Sequence, residues 1–272
     1  MTITAKQVSE LRSRTGVGLM ACKQALMDVD GNIDMAIKKL REKGLAKAAK
    51  TSDRSVNEGR VFVARRDSDE TAVIIELNCE TDFVASNDVF SECGQLIANA
   101  VLEQNLETID HIESLRIGDD IYKDFISKYV LRLGENINLK QFVSFSGASC
   151  VSQYVHMNGK IGVLVAFSES LDRDLATGVA MHVAAANPTY LKREDVVPSE
   201  LEHEKDIIRT QSIKEGKPEA IVEKIVEGRI GKYYKEVCLL EQAYIKDDKQ
   251  TIQQILPANV QIERYVRFSL SM

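Results

Sequence analysis

The feature that most limits the fold of this chain is a change in hydrophobic period near Arg60. Before this point, apolar residues recur every three or four positions, a spacing typical of amphipathic helices. After it, RVFVARR and TAVIIEL are short segments typical of strands, and the polar turn DSDE joins them. We therefore expect a helical head followed by a body of helices and sheets, an α+β fold.

Residues 1–54 are expected to form a three-helix head with a basic linker. Thr4 with Gln7 predicts a capping box for the first helix, and TGVG is expected to end that helix. Asn32 is the predicted N-cap of the third helix, which Gly44 is expected to end. The next stretch, AKAAKTSDRSVNEG, is polar and basic and is interpreted as the linker.

The body repeats one order of elements: strand, turn, strand, helix. Its second copy, SCVSQYVHMNGKIGVLVAF, predicts a hairpin with Asn158–Gly159 at the turn, and a helix follows in RDLATGVAMHVAAA. Gly147 in this copy lies about 88 residues after Gly59 in the first. Two related α/β subdomains with antiparallel sheets are therefore expected, over residues 55–140 and 141–272.

The second subdomain is expected to contain an inserted helical hairpin over residues 199–236. Ser199 with Glu202 predicts a capping box, and Gly216–Pro218 predicts the turn between the two helices. The tail, NVQIERYVRFSLSM, alternates as a strand does and is expected to return to the second sheet.

The stretch ELNCETDFVASND places a bulky apolar residue, Phe83, beside Asp82 where a short polar connection would suffice. Ser86 is expected to cap the helix that follows. Two interpretations of Phe83 are open: it anchors the connection in the core, or it contacts a partner. The corresponding connection of the second copy, SESLDRD, has no aromatic residue, which favours the functional interpretation.

The net charge of −6 is distributed unevenly along the chain. Residues 1–54 contain 11 Lys and Arg against 6 Asp and Glu, which leaves −11 on the remaining 218 residues. A basic head suggests contact with an acidic partner surface or with nucleic acid. A solvated helix face explains the same charge, so charge alone does not decide between them.

Sequence motifs for several chemistries are missing. No G-x-x-x-x-G-K-[ST] phosphate-binding loop occurs, and GVGLMA follows a helix instead of the strand that a dinucleotide site requires. We expect neither a signal peptide nor a membrane span, because no apolar run approaches the roughly 20 residues of a span. A binding protein with no cofactor and no metal is therefore favoured over an enzyme.

The cysteines and histidines are dispersed along the chain. No cysteine pair has metal-ligand or redox spacing, which favours reduced thiols in a cytoplasmic protein. His182 lies in an apolar helical segment and is expected to be a hydrogen-bonded core residue. The residues concerned are Cys22, Cys79, Cys93, Cys150, Cys238, His111, His156, His182 and His203.

Five segments carry a resemblance to a known family. They are ELRSRTGVGLMACKQAL in the head, ELNCETDFVASND, GENI at 134–137, MHVAAANP at 181–188 and GKPEAIVEKIVEGRIGKYYKEVCLLEQAYIKD. In sequence and in order these segments resemble the bacterial translation elongation factor Ts family. The resemblance extends from about Thr4 to Phe268, and the number of separate motifs makes it specific.

This resemblance implies a guanine nucleotide exchange factor that binds the GTPase elongation factor Tu. Such a factor displaces the magnesium and switch region of the GTPase and promotes GDP release, so that GTP can reload in translation elongation. It acts by binding without covalent chemistry and requires neither nucleic acid nor a membrane; a homodimer in a larger complex is compatible with it. The implied fold is a ubiquitin-associated-like three-helix domain, two related subdomains and a projecting coiled-coil hairpin.

The resemblance also assigns partner contacts residue by residue. It places the element that enters the GTPase near its magnesium at Thr81, Asp82, Phe83 and Val84. An apolar wedge there would provide binding energy only when the switch region is displaced, and the adjacent acid would compete with phosphate.

Two further contacts are implied by the same resemblance. Arg12, Leu19 and Met20 would touch a helix of the GTPase domain, and His156 would make a contact from the second subdomain. Leu19 stands where the family is expected to have Met, and both are flexible apolar residues, so the contact is expected to survive.

Two other functions stay open from sequence reasoning alone. A ribosome- or RNA-binding module would use the basic N-terminal domain, and its RNA binding would fall steeply with salt. The head, however, lacks clustered aromatic residues for base stacking. A small-molecule enzyme with a site between the repeats would need convergent polar groups, which no motif provides.

Overall fold

The computed structural model describes residues 3–66 and 70–270. Contacts divide the chain into two compact units. The first unit contains the described residues up to 144, residues 155–162 and the described residues from 268 onward. The second unit contains residues 145–154 and 163–267. No helix in the described ranges is both long enough and apolar enough to cross a membrane. Most of the expected DSDE turn, residues 67–69, lies outside the described residues.

Three helices pack together as the head. They are α1 Ala5–Thr15, α2 Leu19–Met27 and α3 Ile33–Thr51. Both predicted N-caps are confirmed. Thr4 Oγ1 accepts a hydrogen bond from Gln7 N at 3.3 Å, and Asn32 Oδ1 accepts one from Met35 N at 3.0 Å. Side chains from all three helices, such as Leu11, form a small separate core.

The first sheet has the strand order β1-β2-β5, and helices flank its strands in sequence. The elements are β1 Glu58–Arg65, β2 Ala72–Cys79, α4 Asp82–Ala85, α5 Asp88–Glu103, β3 Arg116–Ile117, β4 Asp120–Ile121, α6 Tyr122–Leu133 and β5 Ile137–Phe145. β1 and β2 are antiparallel, with Phe62 opposite Ile75. Every residue of β2, the middle strand of the sheet, is buried, so side chains on both faces of this strand are shielded from water.

The N-cap of α5 differs from the sequence prediction. Asn87, not Ser86, caps this helix, and its Oδ1 accepts a hydrogen bond from Val89 N at 2.8 Å. Ser86 is instead the residue that ends the short helix α4, so it is not free to begin the next one. From this start, α5 buries Phe90 and Ile97 against the sheet.

The predicted end of α3 at Gly44 is wrong, because the helix runs on through residues 46–51, the first part of the predicted linker. The helix continues to Thr51, and Gly44 lies against α6. A Cβ at position 44 would lie 2.9 Å from Ser127 O, so glycine permits the two backbones to approach. An ion pair between Arg41 and Asp124 joins the same two helices.

The second sheet has the strand order β10-β7-β6, which confirms that the tail returns to it. The elements are β6 Cys150–His156, β7 Ile161–Phe167, α7 Arg173–Ala186, α8 Pro198–Lys214, α9 Glu219–Val237, β8 Ala243–Tyr244, β9 Asp247–Thr251, α10 Ile252–Ile255 and β10 Ile262–Ser269. The predicted hairpin turn is confirmed by a 3-10 turn at Met157–Gly159, in which Asn158 adopts a φ of +57°.

The predicted helical hairpin is present as α8 and α9, which pack on each other through a small core of their own. Gly216, at a φ of +75°, lies in the turn between them, as predicted. The predicted capping box at Ser199 is wrong, because α8 begins one residue earlier at Pro198. Proline suits the first position of a helix, where its missing N–H has no partner to lose.

His182 is the core residue that the sequence predicts. It is 1% exposed, its Nδ1 accepts a hydrogen bond from Ile245 N at 3.3 Å, and its Nε2 lies 3.0 Å from Gln242 Oε1. Because Nδ1 accepts, the proton of the neutral ring is on Nε2, which donates to Gln242. Burial lowers the pKa of His182.

Candidate partner-binding site

The connection after β2 is a one-turn helix that carries Phe83 into solvent. Thr81 is the N-cap of α4, and its Oγ1 accepts a hydrogen bond from Val84 N at 3.4 Å. Ala85, on the opposite face, is only 3% exposed and fixes the helix to the core. Phe83 is 82% exposed, so the interpretation of Phe83 as a core anchor is wrong.

A network of hydrogen bonds between two loops holds the start of α4. Glu135 Oε2 accepts from the backbone N–H groups of Glu80 at 3.1 Å and Thr81 at 3.0 Å. Glu135 Oε1 accepts from Thr81 Oγ1 at 2.6 Å, and Glu80 Oε1 accepts from Asn136 N at 2.7 Å. We call these four residues the loop clamp, because each carboxylate satisfies backbone donors of the opposite loop.

The loop clamp also holds the chain that follows α3. Asn136 Nδ2 donates to Ser52 O at 3.2 Å and to Arg54 O at 3.1 Å, while Arg54 forms an ion pair with Glu80 at 3.3 Å. Sequence reasoning missed the role of Glu135 and Asn136. They belong to GENI, and no local pattern indicates that Glu135 meets a partner 54 positions away.

Cys79 adds a further contact to the same turn. Its Sγ donates to Thr81 O at 3.2 Å. Burial, and then the nearby carboxylate of Glu135, raise the pKa of Cys79 to about 12. The thiol therefore stays protonated at neutral pH and keeps its role as a donor.

The turn after β6 lies next to α4. His156 is exposed at the end of β6, and Met157 is 51% exposed. Asp82 lines a small cavity of about 50 Å³ together with Met157, Asn158 and Lys160. The structure thus brings the turn that follows His156 to the side of the element Thr81–Val84.

The three head residues lie on a separate surface. Val17 is 4% exposed and anchors the turn between α1 and α2, so the next side chains turn outward. Leu19 is 50% exposed, Met20 is 77% exposed, and Arg12 is exposed on α1. Val17 belongs to the core of the head, whereas Ala85 beneath α4 belongs to the core of the first sheet.

These surfaces suit contact with a protein better than chemistry on a small molecule. Phe83, Leu19 and Met20 offer apolar side chains that only another surface can cover. Within residues 3–66 and 70–270, no group of three or more His, Cys, Asp or Glu side chains is placed to hold a metal ion.

Comparison with known proteins identifies the family of the chain. The family model described as Elongation factor TS matches residues 80–272, well over half of the chain. A curated relative, Elongation factor Ts of Halothermothrix orenii, is 41% identical over 278 residues, which cover 99% of this chain and 93% of the relative. The match includes Thr81–Val84 and GENI, whose geometry is described above. The chain belongs to the elongation factor Ts family.

Proposed function

We propose that this chain is a guanine nucleotide exchange factor that binds elongation factor Tu and promotes release of its GDP, so that GTP can reload. Membership of the family supports the identity of the partner. The observation that carries the proposal is Phe83, which is 82% exposed on a helix whose other face is fixed by Ala85. An aromatic side chain presented in this way is a ready anchor for a partner.

The mechanism follows from linked binding. A GTPase holds its nucleotide and magnesium with preorganised groups on the phosphate-binding loop and switch elements. If Phe83 fits only after the switch region has moved, then the factor and the nucleotide weaken each other's binding by the same ratio. Asp82 is exposed beside Phe83 and repels or replaces phosphate charge near the magnesium. No covalent bond changes, so the chain acts by binding and not as an enzyme.

The remaining contacts add affinity around this element. Arg12, Leu19 and Met20 form a second surface on the head, where the two apolar residues are covered by a helix of the GTPase. His156 extends the first surface from the turn beside Asp82. Nucleic acid has no required part in this mechanism.

Stopped-flow release of a fluorescent GDP analogue from purified elongation factor Tu tests the proposal. We expect the release rate to rise with the concentration of this chain and to reach a plateau. A rate that stays at the spontaneous value at all concentrations overturns the proposal. RNA retention in a filter-binding assay that falls steeply with salt, without stimulated release, would instead establish the RNA-binding alternative.

A further inference from the structure

The helix that carries Phe83 is too short to be stable by itself. α4 has four residues, and one isolated helical turn is strongly disfavoured in water. Its order must therefore come from outside the helix. Ala85 holds one side of α4 in the core, Val84 packs against the same core, and the N-cap Thr81 holds the start of the helix.

Glu135 holds that N-cap by three hydrogen bonds. Its carboxylate accepts from Glu80 N at 3.1 Å, Thr81 N at 3.0 Å and Thr81 Oγ1 at 2.6 Å. Because the Thr81 hydroxyl gives its proton to Glu135, its oxygen lone pairs are directed to Val84 N. Glu135 thus sets both the backbone at the start of α4 and the rotamer of its cap.

The loop that carries Glu135 is itself fastened. Asn136 N donates to Glu80 Oε1 at 2.7 Å, and the Asn136 amide donates to Ser52 O and Arg54 O at 3.2 and 3.1 Å. Asn136 is 8% exposed, so these bonds are shielded from competing water. The support under α4 is therefore rigid from the core to the cap.

We propose that Glu135 is a positioning residue for Phe83, an inference that rests on the proposed function. Glu135 does not enter the partner. It keeps α4 in the one conformation that presents Phe83, so the ordering cost of the turn is met before the partner arrives. Without the carboxylate, α4 samples other conformations, and only a fraction of molecules can insert Phe83.

The test measures stimulated GDP release for the single variants Glu135→Ala, Glu135→Gln and Phe83→Ala. A double variant combines Glu135→Ala with Phe83→Ala. The matched control is Glu103→Ala, on the exposed face of α5. We expect Glu135→Ala to lower stimulated GDP release about tenfold, the net effect of one charged hydrogen bond. Glu135→Gln is expected to lie between Glu135→Ala and the unaltered chain, because an amide oxygen still accepts from the two backbone donors. Glu103→Ala is expected to stimulate GDP release as strongly as the unaltered chain does.

Two readouts separate positioning from general stability. In hydrogen exchange of the full chain, Glu135→Ala is expected to speed exchange at the amides of Val84, Ala85 and Ser86 while α5 keeps its protection. In the double variant, Glu135→Ala is expected to add little to Phe83→Ala, because residues that act through one group share their effect.

The outcomes are distinguishable. An additive double variant, unchanged exchange in α4, or faster exchange across the whole first unit overturns the positioning role of Glu135. If the unaltered chain fails to stimulate release, the proposed function is wrong. If Phe83→Ala stimulates GDP release as strongly as the active unaltered chain does, Phe83 is not the anchor for the partner. The positioning role of Glu135 then fails with it.

Discussion

Phe83 leaves its ring in water although Ala85, two positions later, is buried. Exposed aromatic surface carries an unfavourable hydration free energy that is recovered when a partner covers it. The turn of α4 imposes this difference, since its two faces point to the core and to solvent. Phe83 therefore contributes little to folding and has its surface available for binding.

Phe83→Ala is expected to lower stimulated GDP release while the melting temperature stays unchanged. A desolvated aromatic anchor commonly contributes about 2 kcal/mol, or roughly thirtyfold in an equilibrium constant. Asp82→Ala is expected to cost less, because an exposed acid is partly replaced by water. Stopped-flow release and a thermal melt of each variant check this. A lowered melting temperature with normal release per folded molecule would contradict it.

His182 gives the molecule a pH-dependent stability. Burial lowers its folded pKa below the ordinary value of 6.5, so the unfolded chain binds the proton more readily. The contribution of neutral His182 to the stability of the fold is complete above about pH 6.5. It is lost as the pH falls from there through the lowered pKa of the folded state.

We therefore expect the melting temperature to fall between pH 7.5 and pH 5.5, and His182→Gln to reduce that fall. Differential scanning calorimetry at both values measures it. His111→Gln, at an exposed histidine, is the control. An identical fall in the unaltered chain and in His182→Gln would show that other groups cause it.

At the scale of single residues, sequence reasoning identified Phe83 and His182 because each stands out against its neighbours. It missed Glu135, since a carboxylate that accepts from backbone N–H groups 54 and 55 positions away leaves no local pattern. Backbone donors are the same in every residue except proline, so no residue type marks them.

At the scale of elements, local chemistry predicted the caps at Thr4 and Asn32, whose partners lie three residues away. Gly44 misled the prediction for a tertiary reason. Glycine is needed there because α3 closely approaches Ser127 of α6. The sequence does not distinguish a glycine in such a contact from a glycine at a helix end. The element order of both copies was predicted, because the hydrophobic period depends only on nearby residues.

The helical hairpin is expected to be dispensable for the rest of the fold. Ile208, Val222, Val226 and Ile230 pack on one another in a separate core. A variant in which residues 199–236 are replaced by a short Gly-rich linker is expected to keep a cooperative melt by circular dichroism. A non-cooperative melt would show that the hairpin is part of the main core.

The exposed start of α2 is expected to contribute affinity and not the maximal rate of exchange. The paired change Leu19→Ser and Met20→Ser is expected to raise the concentration for half-maximal release about tenfold, as loss of apolar anchors does. Met35→Ser, at another exposed methionine of the head, is the matched control. A lowered plateau with unchanged half-saturation would contradict this division of roles.

At the scale of the whole molecule, the two apolar surfaces rest on different cores, one in the head and one under the first sheet. Each core is predicted from its own hydrophobic period, but their connection is not. The predicted division into residues 1–54, 55–140 and 141–272 stays a prediction.

The chain is expected to bind neither GDP nor GTP by itself. It has no phosphate-cradling glycine loop followed by lysine, and Asp82, exposed beside Phe83, would repel phosphate. Isothermal titration of each nucleotide into the free chain measures this. Stoichiometric binding at micromolar concentration would require a nucleotide site in the chain and would contradict exchange by partner binding.

The unbroken helix α3 sets both the distance and the rotation of the head relative to the first sheet. Its 19 residues span about 28 Å at a rise of about 1.5 Å per residue, and each residue turns the helix by about 100°. One residue inserted between Leu40 and Gly44 would turn Leu19 and Met20 by that angle relative to the sheet behind α4. Seven inserted residues restore the direction but displace the head by about 10 Å. Along this helix the chain can change the identity of its exposed residues far more freely than their number.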